Sequence, residues 1–323
     1  MARTSDKPPL LVVALGGNAL QSPEGEDAVE ADFARTSQTM THLASLLTAG
    51  EWRLVVTHGN GPQVGNHLLR SELAHAHGEL PDLPLEVCVA DTQGGMGYMI
   101  QQCLTNALHD ADLPGVVVSI VTQVVVDPGD PAFGEPTKPV GGLIAPERAE
   151  RMRKQGWALV EDRSRGGFRR VVASPDPKEI VEAEAIRAVV DRGVIAIAVG
   201  GGGIPVIQDE RGALRGTHAV IDKDLASSLL ATDLAADGLL ILTDVEQVAT
   251  GYGTPDEKAV AELPASHARE LSAAGEFPAG TMGPKVEALC RFIEGGGGLA
   301  ALGAIDKSRE VLAGDSGTRV TAG

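Results

Sequence analysis

The amino-acid sequence predicts an α/β protein with a mainly parallel sheet and helices on both faces. Short aliphatic and β-branched runs recur along the chain: LLVVALGGN, RLVVTHGNG, VVVSIVTQ, VIAIAVGGGG, LLILTDV and LAALGAID. Continuous apolar runs of this kind mark parallel strands buried on both faces, and each run stops at a glycine or small polar residue, where a strand would end. Between the runs lie helical patterns, including FARTSQTMTHLASLLTAG, PKEIVEAEAIRAVVDRG, DKDLASSLLATDLAADG and GPKVEALCRFIEGG, with glycine where a C-cap is needed. That alternation is a succession of βαβ units. It breaks over residues 133–174, where EPTKPVGG, a short helical APERAERMRKQG and a hairpin-like EDRSRGGFRRVVASPDP read as an insertion projecting from the main sheet.

The chain of 323 residues is long enough to bury a large core without disulfides or a metal. Its three cysteines, Cys88, Cys103 and Cys290, have none of the close spacings of metal or redox motifs and read as buried free thiols. A net charge of −17 repels phosphate polymers and acidic lipid surfaces, so nucleic acid and membranes are excluded as general partners. Any phosphate ligand must then sit in a local positive pocket. LLVVAL is too short for a signal-peptide core, and the longest apolar run, Gly193 to Ile207, is broken by Pro205 and four consecutive glycines. A soluble, cytoplasmic protein is expected.

Four motifs stand where chemistry is possible. ALGGNAL follows the first strand, and Gly16 and Gly17 let backbone N–H groups approach an anion; the plainer reading is a tight turn with Asn18 as a helix cap. THGNGPQVG follows the second, and two glycine turns on one sheet would converge at the crevice where open α/β sheets bind ligands. His58 has no carboxylate or nucleophile beside it in sequence and is given no role. AVIDKDLASSLLA puts Asp222, Lys223 and Asp224 at a helix start, where a lysine is unfavourable unless an anion joins it; otherwise Asp222 is a cap and Lys223 is solvated. GTMGPKVEALCRF puts Lys285 in a first helical turn behind Gly283 and Pro284, an arrangement suited to an anion, with Met282 able to pack on a flat apolar group. LLILTDV ends its strand in Thr-Asp, a position suited to the polar groups of a nucleotide. The chain has no GxxxxGK[ST] loop, no Rossmann fingerprint at its GGGG, no nucleophile elbow and no HExxH. Lys138 stands apart, caged in Pro-Thr-Lys-Pro, where neither a helix nor a central strand can form.

Taken in order, ALGGNAL, THGNGPQVG, DPAFGEPTKPVG, GGFRRVVASPDP, GGGGIPV, AVIDKDLAS, LTDV and GTMGPK resemble the carbamate kinases of the amino-acid kinase superfamily nearly end to end. The resemblance implies an open three-layer αβα sandwich with a small protruding subdomain. It also implies a homodimer and reversible phosphoryl transfer between ATP and carbamate, giving ADP and carbamoyl phosphate with Mg²⁺. Residues 1–205 are expected to bind carbamate and residues 206–323 the nucleotide. Other branches of the superfamily usually place a lysine where this chain has Ala14, whereas carbamate kinases draw on lysines equivalent to Lys138 and Lys223.

Carried over residue by residue, the resemblance makes Lys138, Lys223, Lys285, Asp222 and Asp224 the catalytic set. Gly16, Gly17, Asn18, Gly59, Asn60 and Gly61 would contact carbamate and the moving phosphoryl group, and Asp244, Val245, Met282, Pro284 and Lys285 would line the nucleotide site. No protein ligand to the metal is assigned. Val140 to Ile144 read VGGLI where the family usually has Ile-Gly-Pro-Phe-Tyr, Ala249 replaces a usual tyrosine with Tyr252 three residues on, and Thr281 replaces serine. A kinase for another small carboxylate or phosphonate-like acid, or a nucleotide-binding regulator without turnover, stays open as an alternative.

Overall fold

The structure, a computed structural model, describes residues 7–21, 28–48, 52–154, 156–162, 166–278 and 280–323. In chain order the N-terminal strands and helices are β1 (Leu10–Leu15), α1 (Ala28–Ser45), β2 (Arg53–His58), α2 (Gln63–Ala76), α3 (Leu85–Asp110), β3 (Val117–Ser119) and β4 (Gln123–Val126). The projecting part holds β5 (Lys138–Ile144), α4 (Pro146–Lys154), β6 (Leu159–Asp162) and β7 (Gly167–Val172). Then follow β8 (Pro177–Ile180), α5 (Ala183–Val190), β9 (Ile195–Ile197), β10 (Ile204–Gln208), β11 (Leu214–Gly216), α6 (Lys223–Asp233) and β12 (Gly238–Thr243). The chain closes with β13 (Val248–Thr250), β14 (Lys258–Val260), β15 (Glu262–Pro264), α7 (Ala265–Ala273), α8 (Met282–Glu294), β16 (Leu299–Ala304), α9 (Ser308–Ala313) and β17 (Thr318–Thr321).

Eight strands form the main sheet in the order β15-β17-β16-β12-β1-β2-β9-β3. Every pairing is parallel except β16 with β17. All six residues of β1 are buried, as its apolar run requires of a central strand covered on both faces. Because side chains alternate along a strand, Val12 and Ala14 join one core with Leu230 of α6 and Leu289 of α8, while Leu11, Val13 and Leu15 join the other with Met40 of α1 and Ile100 of α3. Those two cores are the two interfaces of an αβα sandwich. The chain leaves β1 toward β2 on one side and returns as β12 on the other, so the crevice of the sheet opens at the carboxyl end of β1.

Sequence and structure part company in places. The run VVVSIVTQ is not one strand: β3 takes Val117–Ser119 and closes the main sheet, and β4, which begins only at the last residue of the run, Gln123, belongs to a second sheet ordered β11-β10-β4-β8. The break falls at residues 120–122, where the Ile120 N–H still donates to Ile197, while Thr122 N–H turns to the side chain of Gln93. Pro-Thr-Lys-Pro forms neither a helix nor a central strand, as expected: Lys138 and Pro139 open β5, an edge strand of the sheet β5-β7-β6, where a proline is tolerated. The projecting subdomain has its own small core of Ile144, Ala149 and Met152 under Trp157 and Phe168. Its β6–β7 hairpin is antiparallel, with residues 163–165 of the turn outside those described. The boundary expected at 205/206 falls inside β10, and the main sheet takes strands from both sides of it. The three cysteines are free and buried. No helix among the described residues is long and apolar enough to cross a membrane.

Candidate active site

The carboxyl ends of β1, β2 and β12 and the N-terminus of α6 meet over the crevice. Asp222 caps α6, its Oδ1 accepting the backbone N–H groups of Asp224 at 2.9 Å and Leu225 at 3.4 Å. The cap does not leave Lys223 in solvent: the residue is only 9% exposed. Its Nζ donates to Asp224 Oδ1, which answers the unfavourable placement of a cation at a positive helix end. Lys285, on the first turn of α8, reaches the other oxygen of the same carboxylate at 3.0 Å. Lys138 arrives from the projecting sheet and donates to Asp222 Oδ2 at 2.5 Å. Residues 84 and 61 positions apart in the chain are thereby joined in one cluster.

Electrostatics favour an anion here. Three lysines face two aspartates, leaving one positive charge in a chain whose net charge is −17. Burial acts to raise the Asp224 pKa, but Lys223 and Lys285 outweigh it and hold the carboxyl well below the usual range. Burial lowers the Lys223 pKa, with Asp224 resisting and Lys285 adding to the shift. An anionic ligand would relieve the excess charge.

Gly59 follows β2 and runs against the stem of Lys223, so that a Cβ there would stand 3.3 Å from Lys223 Cδ. Asn60 is buried and donates to Thr92 Oγ1 at 3.2 Å. Gly61 and Pro62 lead straight into α2, which starts without a side-chain cap. Gly16 and Gly17 enter a short 3-10 turn through residue 19, not an α-helix. The helix end expected behind them is therefore absent from residues 18–21, and among the described residues the next helix is α1 from Ala28. Asn18 lies in that turn, its side chain outside the described residues.

Beside the lysine cluster a cavity of about 410 Å³ is lined by Gly16, Gly17, Asp244, Val245, Met282 and Lys285, all singled out from the sequence. Its size suits a drug- or nucleotide-sized ligand. Pro284 does not line it; α8 already begins at Met282, which places Pro284 inside the first turn, half-buried. Gln247, Ala249, Tyr252, Glu257, Phe277 and Pro278 add to the wall. Apart from Ala249 and Tyr252, these carry no motif, because they come from the β13–β14 hairpin and the connection before α8 instead of from a glycine turn at a strand end.

Two supports of the site were given no role in sequence beyond the place of GGGGIPV in the family resemblance. The glycine turn at residues 200–203 lies so close to the second motif that a Cβ on Gly200 would meet His58 Nε2 at 2.5 Å, and one on Gly201 would meet Asn60 Nδ2 at 2.3 Å. Gln93 of α3 pins that turn, donating to the Gly200 carbonyl at 3.0 Å and accepting from Thr122 N–H at 2.8 Å. His58 itself is buried with its Nδ1 2.9 Å from the Gly59 carbonyl oxygen.

A model of the amino acid kinase family matches residues 9–301. The chain belongs to that family and is a phosphotransferase. A carbamate kinase of Pyrococcus furiosus is 47% identical over 311 residues, spanning 96% of this chain and 98% of the relative. One of Clostridium perfringens is 42% identical over 313 residues, spanning 96% of this chain and 99% of the relative. The structure of a carbamate kinase from Giardia lamblia bound to AMP-PNP shares the fold with a TM-score of 0.87 at 39% identity, over 97% of this chain and 98% of that one. Within the amino acid kinase family the chain falls among the carbamate kinases.

Proposed function

We propose that this carbamate kinase moves a phosphoryl group between ATP and carbamate at the lysine–aspartate cluster, forming ATP from carbamoyl phosphate in catabolism. The observation that carries the reading is the convergence of Lys138, Lys223 and Lys285 on Asp222 and Asp224 between two glycine turns and a nucleotide-sized cavity. The nucleotide lies in that cavity, its base toward Ala249, Tyr252, Phe277 and Met282 and its phosphates toward Lys285 and the Gly16–Gly17 turn. That a relative, the carbamate kinase from Giardia lamblia, was solved bound to AMP-PNP supports a nucleotide as ligand. Carbamate, or the carbamoyl end of carbamoyl phosphate, lies at Gly59, Asn60 and Gly61. The division of labour follows the sequence, residues 1–205 serving mainly carbamate, with the Gly16–Gly17 turn reaching the phosphates, and 206–323 mainly the nucleotide.

In the ATP-forming direction a terminal oxygen of ADP bonds to phosphorus as the bond from phosphorus to the carbamate oxygen breaks. The leaving carbamate is already an anion and the attacking oxygen carries charge, so no general base is needed. What limits the rate is bringing two anions in line. Lys223 and Lys138 neutralise the equatorial oxygens in transit, while Asp222 and Asp224 hold the ammonium groups in position.

Both oxygens of Asp224 and both of Asp222 are already taken by lysines and backbone N–H groups. These donors fit Mg²⁺ carried by the nucleotide's phosphates instead of a protein-built cage. The ion supplies charge neutralisation at the phosphates.

The chain assembles as a homodimer in this reading. In support, Val87 and Tyr98 expose one stripe of α3 next to β3, the terminal strand of the main sheet, which is flanked by exposed Val116 and Val121. Light scattering of wild type and Tyr98→Glu checks the assembly. The reaction is tested by incubating the purified protein with ADP, carbamoyl phosphate and Mg²⁺. ATP should form, and its absence would overturn the reading.

A further inference from the structure

Gly65 of α2 and Gly141 of β5 meet backbone to backbone. A Cβ on Gly65 would lie 2.0 Å from Gly141 Cα and 2.1 Å from its nitrogen, distances that no pair of non-bonded heavy atoms tolerates. Gly141 has φ +74°, a region that favours glycine. Gly65 has no room for a side chain unless β5 moves away from α2, and Gly141 disfavours one through its φ.

The position of this contact gives it meaning. On one side, α2 begins directly behind Gly59, Asn60 and Gly61, so Gly65 is rigidly tied to the loop assigned to carbamate. On the other, β5 begins at Lys138, so Gly141 is three residues from the ammonium that pairs with Asp222. Around the contact, Val140 and Val172 of the projecting sheet pack with Val64 and Leu68 of α2 and with Val220, two residues before Asp222. Arg170 of β7 donates to Glu72 of α2 at 2.6 Å, and its guanidinium stands 4.0 Å over the Trp157 ring. By contrast, a Cβ on Gly142 would meet nothing within 4 Å. Of the two glycines of VGGLI, one is favoured by its positive φ and the other is not.

We propose that the Gly65–Gly141 contact is a positioning element for catalysis: it seats the projecting sheet at the height that places Lys138 over the transferred phosphoryl group. The proposal rests on the role given to Lys138 above. Gly65 touches no reacting atom and acts through Lys138.

The test measures ATP formation by wild type, Gly65→Ala, Lys138→Ala and the double variant, with Gly142→Ala as control. Gly65→Ala should lower kcat about 10²-fold, the cost typical of an ångström-scale misplacement, and leave the KM for ADP within about twofold. In the Lys138→Ala background the same substitution should cost nothing further, because the group it misplaces is gone. Gly142→Ala should match wild type. Wild-type kcat for Gly65→Ala, or an equal loss with and without Lys138, overturns the positioning role. If Gly65→Ala does not fold, Gly141→Ala replaces it: its Cβ stands an acceptable 3.4 Å from Gly65 Cα, and only the φ strain moves β5. Full activity of Lys138→Ala would instead sink the role of Lys138, a separable failure.

Discussion

Lys285 Nζ donates to Asp224 Oδ2 at 3.0 Å while Lys223 takes Oδ1, so one buried carboxylate holds two ammonium groups at the first turns of α6 and α8. Removing its charge leaves two cations facing each other in a site where Asp224 is 2% exposed. Asp224→Asn should therefore cost about 3–5 kcal/mol of stability, the usual effect of breaking a buried pair. Urea denaturation measures this, and a variant as stable as wild type would show that the lysines do not need their partner.

Lys223→Ala should lower the rate of ATP formation by about 10²-fold or more, as expected for one charge-stabilising group, with far-UV circular dichroism unchanged. Since burial lowers the Lys223 pKa, the alkaline limb of the kcat profile should begin below the range of a free lysine. Lys223→Arg, which stays charged, should push that limb upward.

Asp222 does two jobs that one substitution separates. Asn caps a helix as well as Asp, so Asp222→Asn should change stability by less than about 1 kcal/mol. It loses the charge that holds Lys138 at 2.5 Å, and kcat should fall about tenfold from the misplaced ammonium. A stability loss with unchanged kcat would reverse the assignment.

His58 is lowered from the usual 6.5 to about 4, mainly by burial and also by Lys223, against the pull of the Gly59 carbonyl. The unfolded chain gains this proton near pH 6.5 and the folded chain only near 4. The stabilisation is thus full above pH 6.5 and is lost as pH falls toward 4, in all about 3 kcal/mol. Urea midpoints of wild type should drop more steeply between pH 7 and 4.5 than those of His58→Gln; parallel slopes would remove His58 as the cause.

Tyr252 borders the cavity and is 66% exposed. If it covers the nucleotide base in place of the tyrosine that Ala249 replaces, Tyr252→Ala should raise the KM for ADP about threefold to tenfold, the range of one aromatic contact, with kcat unchanged.

The strand runs, the parallel sheet and the helices on its two faces were legible because each is a local pattern: an apolar run buries on both sides, and an amphipathic one on a single side. The glycine turns were legible because their positions follow from strand ends. VVVSIVTQ misled because nothing within it says where one sheet ends and another begins; Gln93, from α3, decides that by taking the N–H of Thr122.

Local chemistry thus sufficed to single out Lys138, Lys223 and Lys285 as oddly placed cations in an acidic chain. Their pairing with Asp222 and Asp224 waited on the fold, because β5, α6 and α8 are brought together only by packing across distant segments. The same holds for Gly65 and Gly141. In sequence each is one glycine among 40, and only the fold brings β5 so close to α2 that Gly65 has no room for a side chain and sets Gly141 at a positive φ.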